Sequence, residues 1–410
     1  MNTGEREYDV VVWGATGFTG RLVAEYLLQT YGLNRDLRWA IAARSQTRLE
    51  QLRRELVDGA GELPILTAES HDSASLNALA QKTRAVISTV GPYALYGTEL
   101  VEACVANGTH YCDLAGEVQW MRKMIDRYES AAKESGARIV HACGFDSIPS
   151  DLGVYFLQDA ATQRFGKPCS QIRMRVKAMR GGASGGTIAS MLNAMAEGKA
   201  DRNIARIIVS PYSLNPENEQ QGPDQRDQTG PVYDPDLDAW TAPFVMAGIN
   251  TKIVRRSNAL MGFDYGRNFR YEEAMLTGDG LWGRLKALQV TAGLGGVMLM
   301  GSIDWLRSLV ANKLLPKPGE GPDREQREKG FFNIIFVGCL DDRRLRARVT
   351  GDRDPGYGST SKMIGESGVC LALDDLDVGG GFWTPASAMG KRLIDRLQAN
   401  AGLQFTLEED

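Results

Sequence analysis

The stretch DVVVWGATGFTGRLVAEYLL, residues 9 to 28, decides the fold of this chain. A valine-rich apolar run passes directly into three glycines, Gly14, Gly17 and Gly20, and a helical pattern begins at once after them. A glycine triplet alone serves any turn that needs positive φ or close backbone approach. Between a buried strand and a helix start, however, free backbone amides and the helix dipole suit a pyrophosphate. We interpret the stretch as the phosphate-binding turn of a dinucleotide site.

The pattern continues from residue 9 to about residue 145 as a strict alternation of short strands and helices. The strands, such as YDVVVWG and AVISTVGPY, are rich in Val and Ile and apolar on both faces, as a parallel sheet covered by helices requires. We therefore predict an α/β fold whose residues 1–148 form a Rossmann domain with a doubly wound parallel sheet. Ligands are expected at the carboxyl ends of its strands.

Beyond residue 150 the rhythm changes, and QIRMRVKAMRGGASGGTIASMLNAMAEG predicts a strand, a glycine-rich turn and a helix of a second domain. Residues 213–238 are almost wholly polar, Pro and Gly, which indicates either an excursion or lid loop or a disordered segment.

An apolar segment without charges covers residues 287–303. Its length of about 17 residues falls short of the roughly 20 that cross a bilayer, so we do not predict a membrane span. Two alternatives remain open. The segment is a buried core helix, or it is an apolar surface that receives a lipid substrate or rests on a membrane.

Composition narrows the class of protein. The chain has 410 residues, 43% of them hydrophobic, and a formal charge of −4, typical of a soluble globular protein without a nucleic-acid partner. Its six cysteines form no Cys-x-x-Cys pair and its three histidines no His-x-x-x-His pair, so no metal site is predicted. The polar, charged N-terminus lacks a secretory signal, and we expect a cytoplasmic protein.

The second strand identifies the preferred nucleotide. LRWAIAAR ends at Ala43 and Arg44, where an NAD-preferring protein places an acidic residue against the ribose 2′-hydroxyl, and Ser45 follows. A guanidinium and a hydroxyl suit a 2′-phosphate instead, so we predict NADP(H). Thr16 and Thr19 could bind phosphate or cap the helix. The small-residue turn at Val90 and Gly91 is expected to approach the ribose and nicotinamide.

The combination of GATGFTG, IAARS, STVGPYALYG, THYCDLAGE and GFDSIPSDLG resembles the saccharopine dehydrogenase-like oxidoreductases. Later blocks, PGEGPDREQREKGFF, GYGSTSKMIGESG and GGGFWTPASAMG, are similar to their bacterial branch of trans-acting enoyl reductases. The resemblance implies a second α/β (α+β) domain with a mixed sheet over 149–382, concerned with substrate and dimerisation, and a segment 383–410 that returns to the Rossmann domain. The cofactor roles that it implies fall on Gly14, Thr16, Gly17, Phe18, Thr19 and Gly20 for the diphosphate, Arg44 for the 2′-phosphate, and Val90, Gly91 and Pro92 near the nicotinamide.

The expected activity is reduction of a carbon-carbon double bond in a lipid, acyl or polyketide substrate, free or carrier-bound, with peripheral membrane contact and a homodimer as further expectations. One alternative is a saccharopine-type amino-acid dehydrogenase acting on a C–N bond, which needs cations for substrate carboxylates. Another is a non-catalytic, lipid- or membrane-associated protein that binds NADP(H). The cations available to the first alternative are Arg180, Arg255, Arg256 and Arg267.

Reduction of a double bond also needs a proton donor near the nicotinamide. Tyr93 follows one strand end, and His141 and Asp146 follow another in IVHACGFDSIPSD. A phenol tuned by His141 or Asp146 is a reasonable donor, and spacing does not choose among the three. Each also has a structural alternative, because Asp146 could cap the following helix and His141 could be a core residue.

Overall fold

The computed structural model describes residues 6–33, 35–56, 62–181, 185–224, 226–302 and 321–408, which contain two seven-stranded sheets. The first sheet has the order β13-β6-β5-β4-β1-β2-β3, and its pairings are parallel. The elements up to β6 are β1 (Tyr8–Trp13), α1 (Phe18–Tyr31), β2 (Trp39–Ala43), α2 (Gln46–Leu56), β3 (Ile65–Thr67), α3 (Ser73–Ala80), β4 (Thr83–Ser88), α4 (Tyr93–Tyr96), α5 (Thr98–Ala106), β5 (His110–Asp113), α6 (Val118–Ser135) and β6 (Arg138–Val140).

Both faces of this sheet are covered. Val10 and Val12 belong to the apolar core on one side, Val11 belongs to the core on the other side, and all three are completely buried. Alternate residues of a strand point to opposite faces, so a strand with no polar alternation must lie between two layers. The predicted Rossmann sheet is confirmed.

The second sheet is mixed, with the order β14-β12-β11-β7-β10-β9-β8. Strands β7 and β10 are parallel, and the other neighbours are antiparallel. The predicted mixed α/β architecture is thereby confirmed as well. The elements from residue 148 to 351 are α7 (Ile148–Phe165), β7 (Gln171–Arg180), α8 (Gly185–Ala200), α9 (Arg202–Val209), β8 (Val232–Asp234), β9 (Ala239–Pro243), α10 (Ala247–Leu260), β10 (Arg270–Gly278), α11 (Gly280–Ser302), α12 (Arg324–Glu328), β11 (Phe331–Leu340) and β12 (Arg343–Gly351).

The chain comes back to the first sheet earlier than residue 383. After a π-helical turn (Pro355–Ser359), helix α13 (Thr360–Leu373) packs on β1, β4 and β5. β13 (Gly381–Trp383) then extends the first sheet beside β6, and α14 (Pro385–Asn400) follows. The last strand, β14 (Leu403–Glu408), pairs with β12 of the second sheet. The expected C-terminal return therefore divides between the two sheets, because alternate residues of β14 bury Leu403 and Phe405 in the core shared with the second sheet.

Most of the polar segment 213–238 is a packed excursion. The Asp224 carboxylate lies 2.7 Å from Nε of Arg255 on α10, and Arg122 donates to the Asn215 carbonyl at 2.9 Å. These polar contacts, together with the completely buried Leu214, hold the segment against the rest of the chain. Position 225 is outside the described residues.

The apolar segment 287–303 falls on α11 up to Ser302, and its exposure bears on the first of the two alternatives, a buried core helix. Among the side chains described from residue 281 to residue 300, only Gly283 and Ala287 are buried, and they lie where the helix packs on β9 and β10. Large apolar side chains beyond them, such as Leu288 and Met298, are exposed. The segment is therefore not a core helix. None of the described helices is long and apolar enough to cross a membrane.

Candidate functional site

The turn between β1 and α1 depends on glycine for close approach. Gly14 has φ of 87°, and a Cβ there would lie 2.5 Å from Cγ2 of Val90. A Cβ at Gly20 would lie 2.2 Å from the Gly14 carbonyl oxygen. Any larger residue would push the first turn of α1 away from the end of β1. Strand end and helix start are thus held as one compact turn.

The N-terminus of α1 has the form of an anion site. Gly17 is its N-cap, with no capping hydrogen bond from a side chain, and the first turn carries no acidic residue. The first amides of a helix lack intrahelical acceptors and carry a partial positive charge. These residues fit the diphosphate of a dinucleotide, with Thr16 and Thr19 half-buried beside them.

Phe18, at the start of α1, is covered by residues from the second half of the chain. Its ring packs edge-on against Tyr357 with centroids 4.8 Å apart, and the Arg327 guanidinium lies 5.5 Å from its centroid. A Cβ at Gly321 would lie 2.5 Å from the ring. Sequence reasoning missed these neighbours, whose only signal was that they lie in or beside the blocks that carried the family resemblance. Residues after position 320 thus pack beside the turn between β1 and α1.

Arg44 and Ser45 lie directly after β2, next to the end of β1. The Arg44 side chain is exposed, while the Ser45 hydroxyl accepts a hydrogen bond from the Arg48 amide at 3.3 Å and so caps α2. The exposed Arg44 side chain is therefore free of burial that would keep it from a 2′-phosphate. Ser45 lies beside it and also caps α2. Both roles toward the nucleotide stay predictions.

The turn after β4 lies on the other side of the β1 end. Thr89 donates to the Trp13 carbonyl at 3.1 Å, which fixes the turn to β1. Gly91 is exposed and Val90 and Pro92 are half-buried, so all three border the groove above the sheet edge. A contact of these three residues with the ribose and nicotinamide stays a prediction.

Tyr93 is buried, and its hydroxyl is engaged in hydrogen bonds within the chain. Its hydroxyl donates to the Ser88 carbonyl at 3.0 Å and accepts from the Leu114 amide at 3.1 Å, and its ring stacks on Trp120. Burial raises the pKa of the phenol well above its ordinary value. The phenol thus has a structural role, since it holds the ends of β4 and β5 together, and a catalytic role for Tyr93 stays a prediction.

His141 is also a core residue. Its Nδ1 lies 2.7 Å from Asp113, which also accepts hydrogen bonds from the Ala115 and Ala142 amides. The imidazole is enclosed by the rings of Trp120, Tyr111 and Phe382. The side chain is only 2% exposed and helps to fix the ends of β5 and β6, while its buried Nε2 has no hydrogen-bond partner among the described residues; a catalytic role for His141 stays a prediction.

Asp146 is the one catalytic candidate of the three that is not fully buried. It follows β6 and precedes α7, its side chain is half-buried, and within the described chain no hydrogen bond to its carboxylate is found. Desolvation raises the pKa of this carboxyl to about 6. The helix that follows is held by Ser147, whose hydroxyl donates to Asn250 at 3.1 Å. A titratable group near neutrality on a rigid support is what acid catalysis needs.

Glu117 has a role that its sequence position did not reveal. Its carboxylate accepts hydrogen bonds from the Tyr93 and Ala94 amides at 2.7 and 3.0 Å and from the Ser190 hydroxyl at 2.9 Å. It thereby caps α4 and ties α8 of the second domain to the carboxyl edge of the first sheet.

Across the described ranges, no group of His, Cys, Asp and Glu side chains could hold a metal ion.

Comparisons with known proteins agree with this geometry. The saccharopine dehydrogenase NADP binding domain family matches residues 10–140. A Mycobacterium tuberculosis relative assigned to the trans-acting enoyl reductases is 43% identical over 99% of each chain. A trans-acting enoyl reductase of the same species is 38% identical over 97% of each chain. This chain belongs to the trans-acting enoyl reductase family.

The match also confirms NADP(H) as the cofactor, and the protein is an NADP-dependent oxidoreductase. A saccharopine dehydrogenase (L-Glu forming) of Saccharomyces cerevisiae superposes with a TM-score of 0.51 over 98% of this chain and 99% of its own, at 11% identity. That likeness shows the shared fold alone. The full-length relatives do not favour the amino-acid dehydrogenase alternative. Of the four cations named for it, Arg255 and Arg256 are buried in contacts within the chain and Arg267 pairs with Glu219, whereas Arg180 is exposed.

Proposed function

We propose that this protein is an NADPH-dependent enoyl reductase that acts on a carbon-carbon double bond of a lipid or acyl chain. The reaction is the one in the names of its full-length relatives. The proposal is supported by these relatives and by Asp146, a half-buried carboxyl that follows β6 at the carboxyl edge of the first sheet, where burial raises its pKa to about 6. A small-molecule lipid or a carrier-bound acyl chain are the two forms of substrate within this proposal, and the cytoplasm is its proposed compartment.

NADPH supplies the hydride when it is bound. The chain's own residues have three tasks: the turn from Gly14 to Gly20 binds the diphosphate, Arg44 binds the 2′-phosphate, and the turn at Gly91 positions the nicotinamide end. The remaining requirement is a proton for the substrate carbon next to the one that receives hydride. We assign this donation to the protonated Asp146 carboxyl.

Helix α8 supports an apolar substrate. Glu117 holds it above the carboxyl edge through Ser190, and the following turns carry Met191, Leu192 and Met195, which are buried or half-buried. Flexible thioether side chains adapt to irregular apolar ligands. An acyl chain that lies along this helix would present its double bond to the groove while the apolar walls exclude water.

Asp146→Asn tests the proposal. NADPH oxidation is followed at several pH values with enoyl thioesters of increasing chain length and with lipid alkenes. The variant should lose roughly 100- to 10,000-fold in kcat, the usual contribution of a general acid. In the wild type, kcat should fall as pH rises above about 6, because the acid form is lost, and the variant should lack this limb.

Asp377→Asn, which changes an exposed aspartate elsewhere, is the matched control and should keep wild-type activity and pH profile. Absence of turnover with every chain length would exclude the enoyl reductase proposal. Full activity of Asp146→Asn would exclude Asp146 as the donor.

A further inference from the structure

Helix α11 presents the largest unexplained apolar surface of the described chain. Its exposed side chains include Trp282, 77% exposed, and Met298, 51% exposed. Monomeric proteins rarely expose contiguous apolar patches of this kind unless something else covers them. Neither the nucleotide groove nor the proposed reduction uses these residues.

The base of α11 is firmly attached to the second sheet. Thr277 donates to the Gly283 carbonyl at 2.9 Å, and a Cβ at Gly283 would lie 2.0 Å from the Gly278 oxygen. Ala287, one turn later, is the last buried side chain before Met300. The helix therefore leaves the sheet in a fixed direction. It also contacts α8, and most of the rest of its described length is exposed.

A few side chains of this part, such as Leu294, are half-buried, whereas exposed apolar side chains point in several directions. At about 100° per residue, Leu288 and Val297 point to opposite sides of the helix, while Met298 and Met300 point to the two sides between them. All four are exposed. A protein partner would cover one face and leave the other in water, whereas a lipid phase covers every side at once.

The charges on the helix also favour lipid. Within Gly280–Ser302 the charged residues are Arg284 and Lys286, both near the base, and Asp279 directly precedes the helix. The Arg284 guanidinium lies 5.3 Å from the ring of Trp240. Trp240 in turn packs against the exposed Tyr233. Aromatic rings and cations at one level, with apolar residues beyond them, are typical of a membrane-water boundary.

We propose that α11 docks the protein on an anionic lipid bilayer, with its apolar part in one leaflet and Trp282, Arg284 and Lys286 among the headgroups. The stretch from Leu288 to Met300 is about 20 Å long, enough for the roughly 15 Å of one hydrocarbon leaflet when tilted. The inference relies on the proposed function only for the kind of substrate that a membrane would provide.

The test is vesicle cosedimentation of the full chain, without NADPH or substrate. Vesicles of phosphatidylcholine alone are compared with equimolar phosphatidylcholine and phosphatidylglycerol. The wild type should bind the anionic vesicles at least tenfold more tightly, and Lys286→Glu should remove most of that preference. The triple variant Val297→Ser, Met298→Ser and Met300→Ser should reduce binding to both kinds of vesicle at least tenfold.

A matched triple variant changes exposed apolar residues elsewhere, Val209→Ser, Leu373→Ser and Leu407→Ser, and should bind vesicles like the wild type. Light scattering measures the oligomeric state of each protein. Turnover of a short, freely dissolved enoyl thioester, measured near neutral pH, shows that the variants are folded. Failure of the wild type to bind either kind of vesicle would contradict docking. So would an α11 variant that dissociates a dimer while its vesicle binding is unchanged. Vesicle binding by a protein without reductase activity would instead support docking and contradict only the proposed function.

Discussion

Two segments of this molecule each carry three glycines, and their surroundings are opposite. At Gly14 and Gly20, an added Cβ would come within 2.5 Å of neighbouring atoms, because strand end, helix start and the β4 turn meet there. At Gly293, Gly295 and Gly296 of α11, an added Cβ would meet nothing within 4 Å. The first triplet is required by contacts inside the chain. The second has no such requirement, which shows that glycine content alone does not identify a site.

The largest difference is expected from Gly20→Ala. The new methyl group would displace the Gly14 carbonyl and separate α1 from β1, so we expect a loss of about 2 kcal/mol or more in the free energy of unfolding. NADPH affinity should fall at least roughly 100-fold as the amides move from the diphosphate. Urea unfolding and NADPH fluorescence titration measure the two effects.

If Gly20→Ala does not fold, Gly17→Ala tests NADPH affinity in its place. Its Cβ would lie 3.2 Å from the Gly14 oxygen, a milder contact, so the fold should remain while NADPH affinity falls. Wild-type NADPH affinity in a folded Gly17→Ala protein would show that close backbone approach serves packing only.

Arg44→Gln separates ligand binding from packing in the first region. Arg44 is exposed, so its loss should leave stability unchanged, whereas removal of a charge-assisted contact should weaken NADPH binding by roughly ten- to a hundredfold. NADH binding should stay as it is. Arg54→Gln on the exposed surface of α2 is the matched control and should change neither affinity. Equal weakening of NADPH and NADH would contradict a 2′-phosphate contact.

The fold of the first domain was predictable because its signal is local and repeated. Each strand and helix contributes its own periodicity, and the glycine spacing locates the turn between β1 and α1. The contacts of Phe18 with Arg327 and Tyr357 were not predictable, since more than 300 residues separate them and only the second sheet brings them together. The same limit explains Tyr93, whose phenol is committed to the Ser88 carbonyl and the Leu114 amide.

The candidate site was predicted at the level of strand ends. The sequence placed both His141 and Asp146 after β6, and both lie there, yet only Asp146 is partly exposed. Burial of a single side chain depends on its partners, here Asp113 for His141. Helix α11 shows the complementary limit. A segment that is uniformly apolar has no periodicity from which to read a buried face, so the sequence left core and surface as alternatives.

The smallest effect is expected from Gly295→Ala, which tests the second region. Alanine favours a helix by up to about 1 kcal/mol over glycine, and open space around Gly295 leaves room for the methyl group. Hydrogen exchange of the α11 amides should therefore slow by about two- to fivefold, while vesicle binding stays unchanged. Gly136→Ala is the contrasting variant: its surroundings are equally open, but its φ of 82° strains alanine and should destabilise α6. Faster hydrogen exchange of the α11 amides in Gly295→Ala would mean that a backbone from another chain packs on that glycine. Contacts would then require glycine in both triplets.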